Sequence, residues 1–307
     1  MKYKRIKKIL VCALLITVTG CNGHTASRNK LLQVVTTTTM LSDLAKIIGG
    51  DKVNVSGLMG PGVDPHLYQA SANDVTALQQ ADIVVYNGLH LEGKMGDIFD
   101  SLKHVKQIIC VENGLRKEDI IPAPDDAAIP DPHIWFSVEN WQKAARYMKE
   151  QLQTFDPESR DYYQKNYEEY EKQLEGLQSY IIGRIEEIPE EQRVLVTAHD
   201  AFHYFEKAYH FKVLALQGIS TESEASTSNI SQLASFIADH KIKAIFIESS
   251  VPSKTVESLQ AAVMDRHFAV NIGGQLYSDS LGDKASKHDT YITTFKANID
   301  IIVDALK

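Results

Sequence analysis

From Leu31 onward, short runs rich in Val, Ile and Leu alternate with longer stretches whose apolar residues recur every three or four positions. That alternation predicts parallel β/α units, because a doubly covered strand reads as a continuous apolar run and its covering helix as a stripe. Strands are expected at Leu32–Thr36, Val53–Leu58, Ile83–Asn87 and Gln107–Val111, with helices at Met40–Ile48, Asn73–Ala81, Gly93–Leu102 and Val138–Phe155. The pattern then changes. Asp156 can cap a helix and Pro157 suits its first position. Apolar or aromatic residues follow at Tyr163, Tyr167, Tyr170, Leu174, Leu177, Ile181, Ile185 and Ile188, until Pro189 stops the run. One helix of up to about 30 residues, roughly 45 Å long, is expected there. The β/α rhythm resumes with strands at Arg193–Thr197, Lys212–Leu216, Ala244–Ile247 and Phe268–Asn271, and helices at Ala201–Ala208, Ile230–His240, Lys254–Met264 and Tyr291–Leu306. The fold class is therefore α/β, with lobes at 31–156 and 190–307 joined by a linker helix over 157–189.

The first thirty residues follow another logic. Lys2, Lys4, Arg5, Lys7 and Lys8 precede an apolar run from Ile9 to Val18, the order of a secretory signal. That run is too short to span a bilayer, and no later stretch of about 18 apolar residues occurs. Val18-Thr19-Gly20-Cys21 resembles the bacterial lipobox, whose cysteine is acylated and becomes the first residue after cleavage. The expectation is a signal peptide over 1–20, lipid on Cys21, and a flexible polar tether over 21–30. The protein would then sit lipid-anchored on the extracytoplasmic face of a cell membrane.

Removing the signal changes the charge balance. The whole chain of 307 residues carries a formal charge of −8, but without its first twenty residues 27 basic and 40 acidic residues remain, giving −13. An acidic body disfavours nucleic acid as a partner. Three cysteines make neither a disulfide framework nor a thiolate metal cluster, and Cys110 reads as a small buried hydrophobe.

Four residues have ligand chemistry. Asp64-Pro65-His66 and Asp131-Pro132-His133 repeat one tripeptide in two loops, each histidine presented on a proline-stiffened stem. His199 follows the strand ending at Thr197-Ala198. Asp279 lies in the Gly273-to-Asp279 loop, after the strand ending near Asn271. All four fall beyond strand carboxyl ends, where open α/β sheets bind ligands. Three imidazoles and a carboxylate suit a divalent transition ion, nitrogen favouring zinc and oxygen tolerating manganese. Imidazoles must be neutral to ligate, so affinity should fall as pH drops through about 6.5.

Other patterns carry less. His199-Asp200-Ala201-Phe202-His203 spaces two histidines like a zincin, but aspartate replaces glutamate and the first histidine lies at a strand-helix junction. His203 is read as a surface or rim residue. His90 and Glu92 imitate the H-x-E of zinc deaminases without the following P-C-x-x-C, and are treated as structural. A metallohydrolase on the same four ligands would need a general base, for which Glu248 is the one attractive candidate; Glu248 is preferred as a supporting residue behind the ligands.

Taken in order along the chain, the lipobox, Leu58 to Tyr68, Gly88 to Gly93, Asp131 to Trp135, Thr197 to Phe202, Ile247 to Ser250 and Gly273 to Asp279 resemble the TroA-like metal-binding lipoproteins of ABC importers. The resemblance implies two pseudo-symmetric lobes bridged by a rigid helix, with one metal in the interlobe cleft held by His66, His133, His199 and Asp279. It implies a binding protein rather than an enzyme, partnered by an ABC permease and its ATPase, with a monomer as the simplest state. Family members regarded as manganese-specific often have glutamate at the position of His199, and zinc-specific ones a histidine-rich loop that the segment from Glu112 to Pro130 lacks. Manganese is the first expectation and zinc the second. Relatives have also been named adhesins, but no repeat, Thr/Pro-rich stalk or sortase-like tail supports that role.

Overall fold

A computed structural model describes residues 31–124 and 126–307. The signal peptide, Cys21 and the 21–30 tether lie outside the described residues. The first half is built from β1 (Leu32–Thr36), α1 (Thr39–Gly49), β2 (Val53–Gly57), α2 (Ala72–Gln80), β3 (Ile83–Tyr86), α3 (Gly96–Leu102), β4 (Gln107–Cys110) and α4 (Val138–Phe155). Its four strands form one parallel sheet in the order β2-β1-β3-β4. The helices start where polar caps are available: Thr38, Ser71 and Ser137 each accept a backbone N–H of the first turn of α1, α2 and α4.

The long helix α5 (Arg160–Ile185) has 26 residues, about 39 Å at 1.5 Å per residue. Pro157–Ser159 forms a separate 3-10 turn ahead of it. Asp156 does not cap the helix with its side chain; its carboxylate accepts the Tyr163 hydroxyl at 2.8 Å instead. The buried face of α5 is Tyr163, Tyr167, Tyr170, Leu174, Leu177, Ile181 and Ile185, the stripe read from the sequence. It packs against α1 and α4 on one side.

The second half runs β5 (Val194–His199), α6 (His203–Tyr209), β6 (Lys212–Gln217), α7 (Thr227–His240), β7 (Ala244–Glu248), α8 (Lys254–Met264), β8 (Asn271–Leu276) and α9 (Tyr291–Leu306). β5 pairs with β6 and β7 with β8, all parallel, and β7 packs beside β5. The resulting sequence β6-β5-β7-β8 repeats the arrangement of the first half. α9 meets α5, so the long helix touches both halves. The main apolar core is correspondingly continuous, running from Val34 and Ile83 through Tyr170 and Leu177 to Phe246 and Ile302. Among the described residues no helix is long and apolar enough to cross a membrane.

Two expectations shift. The last strand is Asn271–Leu276, not Phe268–Asn271. The apolar Phe268 and Val270 instead pack into a second core under α7 and α8, while the glycine pair continues the strand. Those glycines are required by close approach: a Cβ on Gly273 would meet Phe246 at 2.6 Å, and Gly274, at φ 147°, would meet Ile301 at 2.7 Å. His199 is the last residue of β5 rather than the first beyond it, because its strand pairing with Gln217 persists.

Candidate metal centre

The four candidate ligands come from four strand ends. The loop after β2 carries His66, the segment after β4 carries His133, β5 ends in His199, and Asp279 lies three residues past β8. Each duplicated stem folds the same way. In the first, Asp64 Oδ1 accepts the His66 backbone N–H at 2.8 Å; in the second, Asp131 Oδ1 accepts that of His133 at 2.9 Å. An aspartate two residues ahead of a histidine thus closes a local turn on its own backbone, with proline restricting the residues between.

These turns bring the side chains together. His66 Nε2 lies 3.3 Å from His133 Nε2 and 3.7 Å from Asp279 Oδ2. His133 Nε2 is 3.5 Å from Asp279 Oδ1, and His199 Nε2 is 3.2 Å from Asp279 Oδ2. One donor atom from each residue falls within 4.8 Å of all the others. All four are buried, none more than 5% exposed. Four donors around an ion at about 2.0–2.2 Å in a tetrahedron would sit roughly 3.3–3.6 Å apart, close to the four distances above.

Polar satisfaction points the same way. Both oxygens of Asp279 and Nε2 of His199 are buried without a hydrogen-bond partner. An isolated buried carboxylate is costly unless a charge or a metal compensates it. Burial opposes ionisation of Asp279, but the neighbouring imidazoles, His199 foremost, hold its pKa well below the usual carboxylate range. Burial pushes the pKa of His66 down to about 3 against the pull of Asp279, so this imidazole keeps a free lone pair at neutral pH. For His199 burial acts in the same direction, yet Asp279 and Glu248 together outweigh it and raise the pKa well above the ordinary value.

Carboxylates behind the cluster orient two of the rings. His133 Nδ1 donates to Asp131 Oδ1 at 2.7 Å, and His199 Nδ1 to Glu248 Oε2 at 2.5 Å. Because ionised carboxylates only accept, each Nδ1 keeps a proton and Nε2 is the nitrogen that faces the cluster; His199 ligates once its Nε2 proton has left. Glu248 Oε1 also accepts the backbone N–H groups of Ala198 and His199 at 2.8 and 2.9 Å. With both oxygens engaged, Glu248 is not free to act as a general base toward water. His203 lies outside the cluster, its ring nitrogens 2.7 Å from Asp200 and 3.1 Å from Glu206 at the start of α6. Cys110 is buried at the end of β4.

Sequence reasoning credited Pro132 with stiffening the His133 stem and overlooked Asp131 as the partner of its ring. The spacing alone does not reveal it, since Asp64 stands equally near His66 yet its oxygens take the His66 backbone N–H and the Thr221 hydroxyl. Trp135, also passed over, donates its indole N–H to the Ser278 carbonyl at 2.9 Å, next to Asp279. Tyr291 of α9 donates its hydroxyl to the Trp135 carbonyl at 2.7 Å, so the His133 and Asp279 loops are fastened to each other.

Comparison with known proteins bears on this site. The family model described as "Zinc-uptake complex component A periplasmic" matches residues 34–305. The manganese-binding lipoprotein MntA of Bacillus subtilis is 43% identical over 292 residues, covering 94% of this chain and 95% of its own length. The zinc-binding protein TroA of Treponema pallidum is 43% identical over 304 residues, covering 96% and 98%. A metal ABC transporter substrate-binding lipoprotein, FimA of Streptococcus parasanguinis, is 31% identical and covers 99% of each chain. The solved structure of the Treponema pallidum periplasmic zinc-binding protein superposes with a TM-score of 0.88 at 45% identity, over 90% of this chain and 99% of that one.

Proposed function

Because the chain belongs to the zinc-uptake complex component A family, metal-binding substrate-binding proteins of ABC transporters, we propose that it captures one divalent transition metal ion between His66, His133, His199 and Asp279. It then presents the ion to a membrane permease whose ATPase supplies the energy. The observation that carries this reading is the buried, unpaired carboxylate of Asp279 among three imidazoles. In the metal-free protein that charge is offset by the proton that Asp279 and Glu248 favour on His199, and a divalent ion takes the proton's place between them. Attachment through lipid on Cys21, placement on the outer face of the membrane and a monomeric state belong to the same proposal. So do the lobe limits 31–156 and 190–307, with α5 restricting their relative motion.

Manganese is the proposed ion. Both Asp279 oxygens lack partners, so this carboxylate can bind through two atoms and give five donors, a count that suits a larger ion. Zinc is the second reading, favoured by the 3.2 and 3.7 Å distances from Asp279 Oδ2 to Nε2 of His199 and His66, which are near the donor separation of a tetrahedral zinc site. The affinity order of divalent ions makes zinc bind at least as tightly in either case, so tightness alone does not identify the cargo. The test is uptake of radioactive manganese and zinc by cells lacking the protein and by the same cells complemented. Loss of manganese uptake, restored by the wild type and not by Asp279→Ala, is expected. Loss of zinc uptake alone would replace manganese by zinc, and unchanged uptake of both would remove the transport reading.

A further inference from the structure

Glu92, read from the sequence as merely structural, sits where two ligand loops are rooted. It is buried, 4% exposed. Its Oε1 accepts the Thr37 hydroxyl at 2.6 Å and the Asn87 backbone N–H at 2.8 Å, and its Oε2 accepts the Gly88 N–H at 3.3 Å. Both side-chain-linked partners lead to a ligand. The Thr37 carbonyl accepts the N–H of Met59, at the head of the loop that runs to His66, at 3.0 Å. Asn87 Nδ2 donates to the Pro132 carbonyl at 3.0 Å, one residue before His133.

The backbone explains why a carboxylate stands there. Gly88, Leu89 and His90 are three successive residues in the left-handed region, at φ 86°, 51° and 63°. Residues turned this way gather their N–H groups into a concavity that suits an anion. The chain fills it with its own acids: Glu92 takes the N–H groups of Asn87 and Gly88, and Glu112 Oε2 takes that of Leu89 at 2.5 Å. Gly88 cannot be replaced freely, since a Cβ there would lie 2.5 Å from Glu112 Oε2 and 2.7 Å from Cys110 Sγ.

We propose that Glu92 is a positioning residue for metal capture: by tethering Thr37 and Asn87 it fixes the placement of His66 against His133 without touching the ion. This rests on the reading of the four-residue cluster as the metal site. A loosened stem leaves its imidazole to be ordered at each binding event, which weakens the ion's hold.

The test compares the full chain in detergent as wild type, Glu92→Ala, Glu92→Gln and Leu102→Ala. Leu102 is buried at the end of α3 in a separate apolar cluster and serves as the destabilised control. Each protein is stripped of metal and measured for zinc affinity by chelator competition, for the visible absorption spectrum of bound cobalt(II), and for thermal unfolding. Glu92→Ala is expected to bind zinc up to about 10-fold more weakly, less than the roughly 10- to 100-fold for groups bonded directly to a ligand, and to shift the cobalt bands. Glu92→Gln, which keeps one acceptor for Thr37 and Asn87, should fall between it and the wild type. Leu102→Ala should unfold earlier with affinity and spectrum unchanged. Glu92→Ala that is destabilised like Leu102→Ala yet binds like the wild type overturns the proposal. Should Glu92→Ala not fold, wild-type affinity and spectrum in Glu92→Gln overturn it equally. A wild type that binds neither ion removes the metal-site reading itself, and the proposal with it.

Discussion

Replacing Glu248 by glutamine separates support of a ligand from support of the fold. In the wild type Glu248 accepts three hydrogen bonds, from the N–H groups of Ala198 and His199 and from His199 Nδ1. Glutamine keeps the length and one carbonyl oxygen. If that oxygen stays with the two backbone donors, the new NH2 group faces His199 Nδ1. To ligate through Nε2, the ring must then keep its proton on Nδ1 opposite another donor. If instead the amide flips, the NH2 group faces two backbone donors at the end of β5. A hydrogen bond to a charged group contributes about 1.5–3 kcal/mol, and the metal-bound state, in which Nε2 is ligated and the proton must stay on Nδ1, cannot recover it by switching tautomer. The expected effect is a roughly 10- to 100-fold weaker metal affinity, the usual range for losing such a partner. Chelator competition with manganese and zinc measures it, and chemical denaturation of the metal-free protein measures stability. Wild-type affinity in a folded Glu248→Gln variant would refute the argument that this carboxylate sets the tautomer of His199.

Three further outcomes follow from other regions. Asp279→Ala removes the carboxylate that faces three imidazoles, so metal affinity should drop by orders of magnitude, and the metal-free protein should unfold earlier because the ionised carboxylate those imidazoles favour is gone; retained affinity in a titration contradicts this. Leu177, 1% exposed on the inner face of α5, should cost roughly 2–5 kcal/mol on truncation to alanine, with little change in affinity; a denaturation midpoint matching the wild type tells against α5 as the shared core. Asp43 accepts the Tyr291 N–H at 2.8 Å, and burial raises its pKa to about 6. Between pH 4 and 6 the unfolded chain therefore releases a proton that the folded chain keeps. Asp43 thus contributes stability at acid pH that is lost as pH rises through about 6, up to roughly 3 kcal/mol. The stability of Asp43→Asn relative to the wild type should improve across that window, and a difference independent of pH would count against the buried acid.

The sequence was most informative where one physical requirement repeats along the chain. The inner stripe of α5 could be read residue by residue because a helix packed along its whole length must place an apolar group every three or four positions. The cluster of His66, His133, His199 and Asp279 was equally visible, since its chemistry is unusual and the Asp-Pro-His stem occurs twice. β8 was misplaced for an opposite reason. Its Gly273-Gly274 pair has no side chains to give a strand signal, and those glycines are there because Phe246 and Ile301 leave no room for a Cβ. The partners behind the ligands could not be paired from sequence. Glu248 lies 49 residues from His199, and Thr37 lies 55 from Glu92. Such contacts depend on which strand ends the folded sheets bring together, and neither composition nor periodicity records that. Only Asp131 lies close in sequence, two residues from the ring it orients.

Diffraction from crystals grown with manganese or zinc, recorded on both sides of the metal's absorption edge, tests the central claim most directly. One anomalous peak per chain is predicted, within bonding distance of Nε2 of His66, His133 and His199 and of one or both oxygens of Asp279. A peak elsewhere, for instance at Asp200, His203 and Glu206, with none among those four residues, would contradict it.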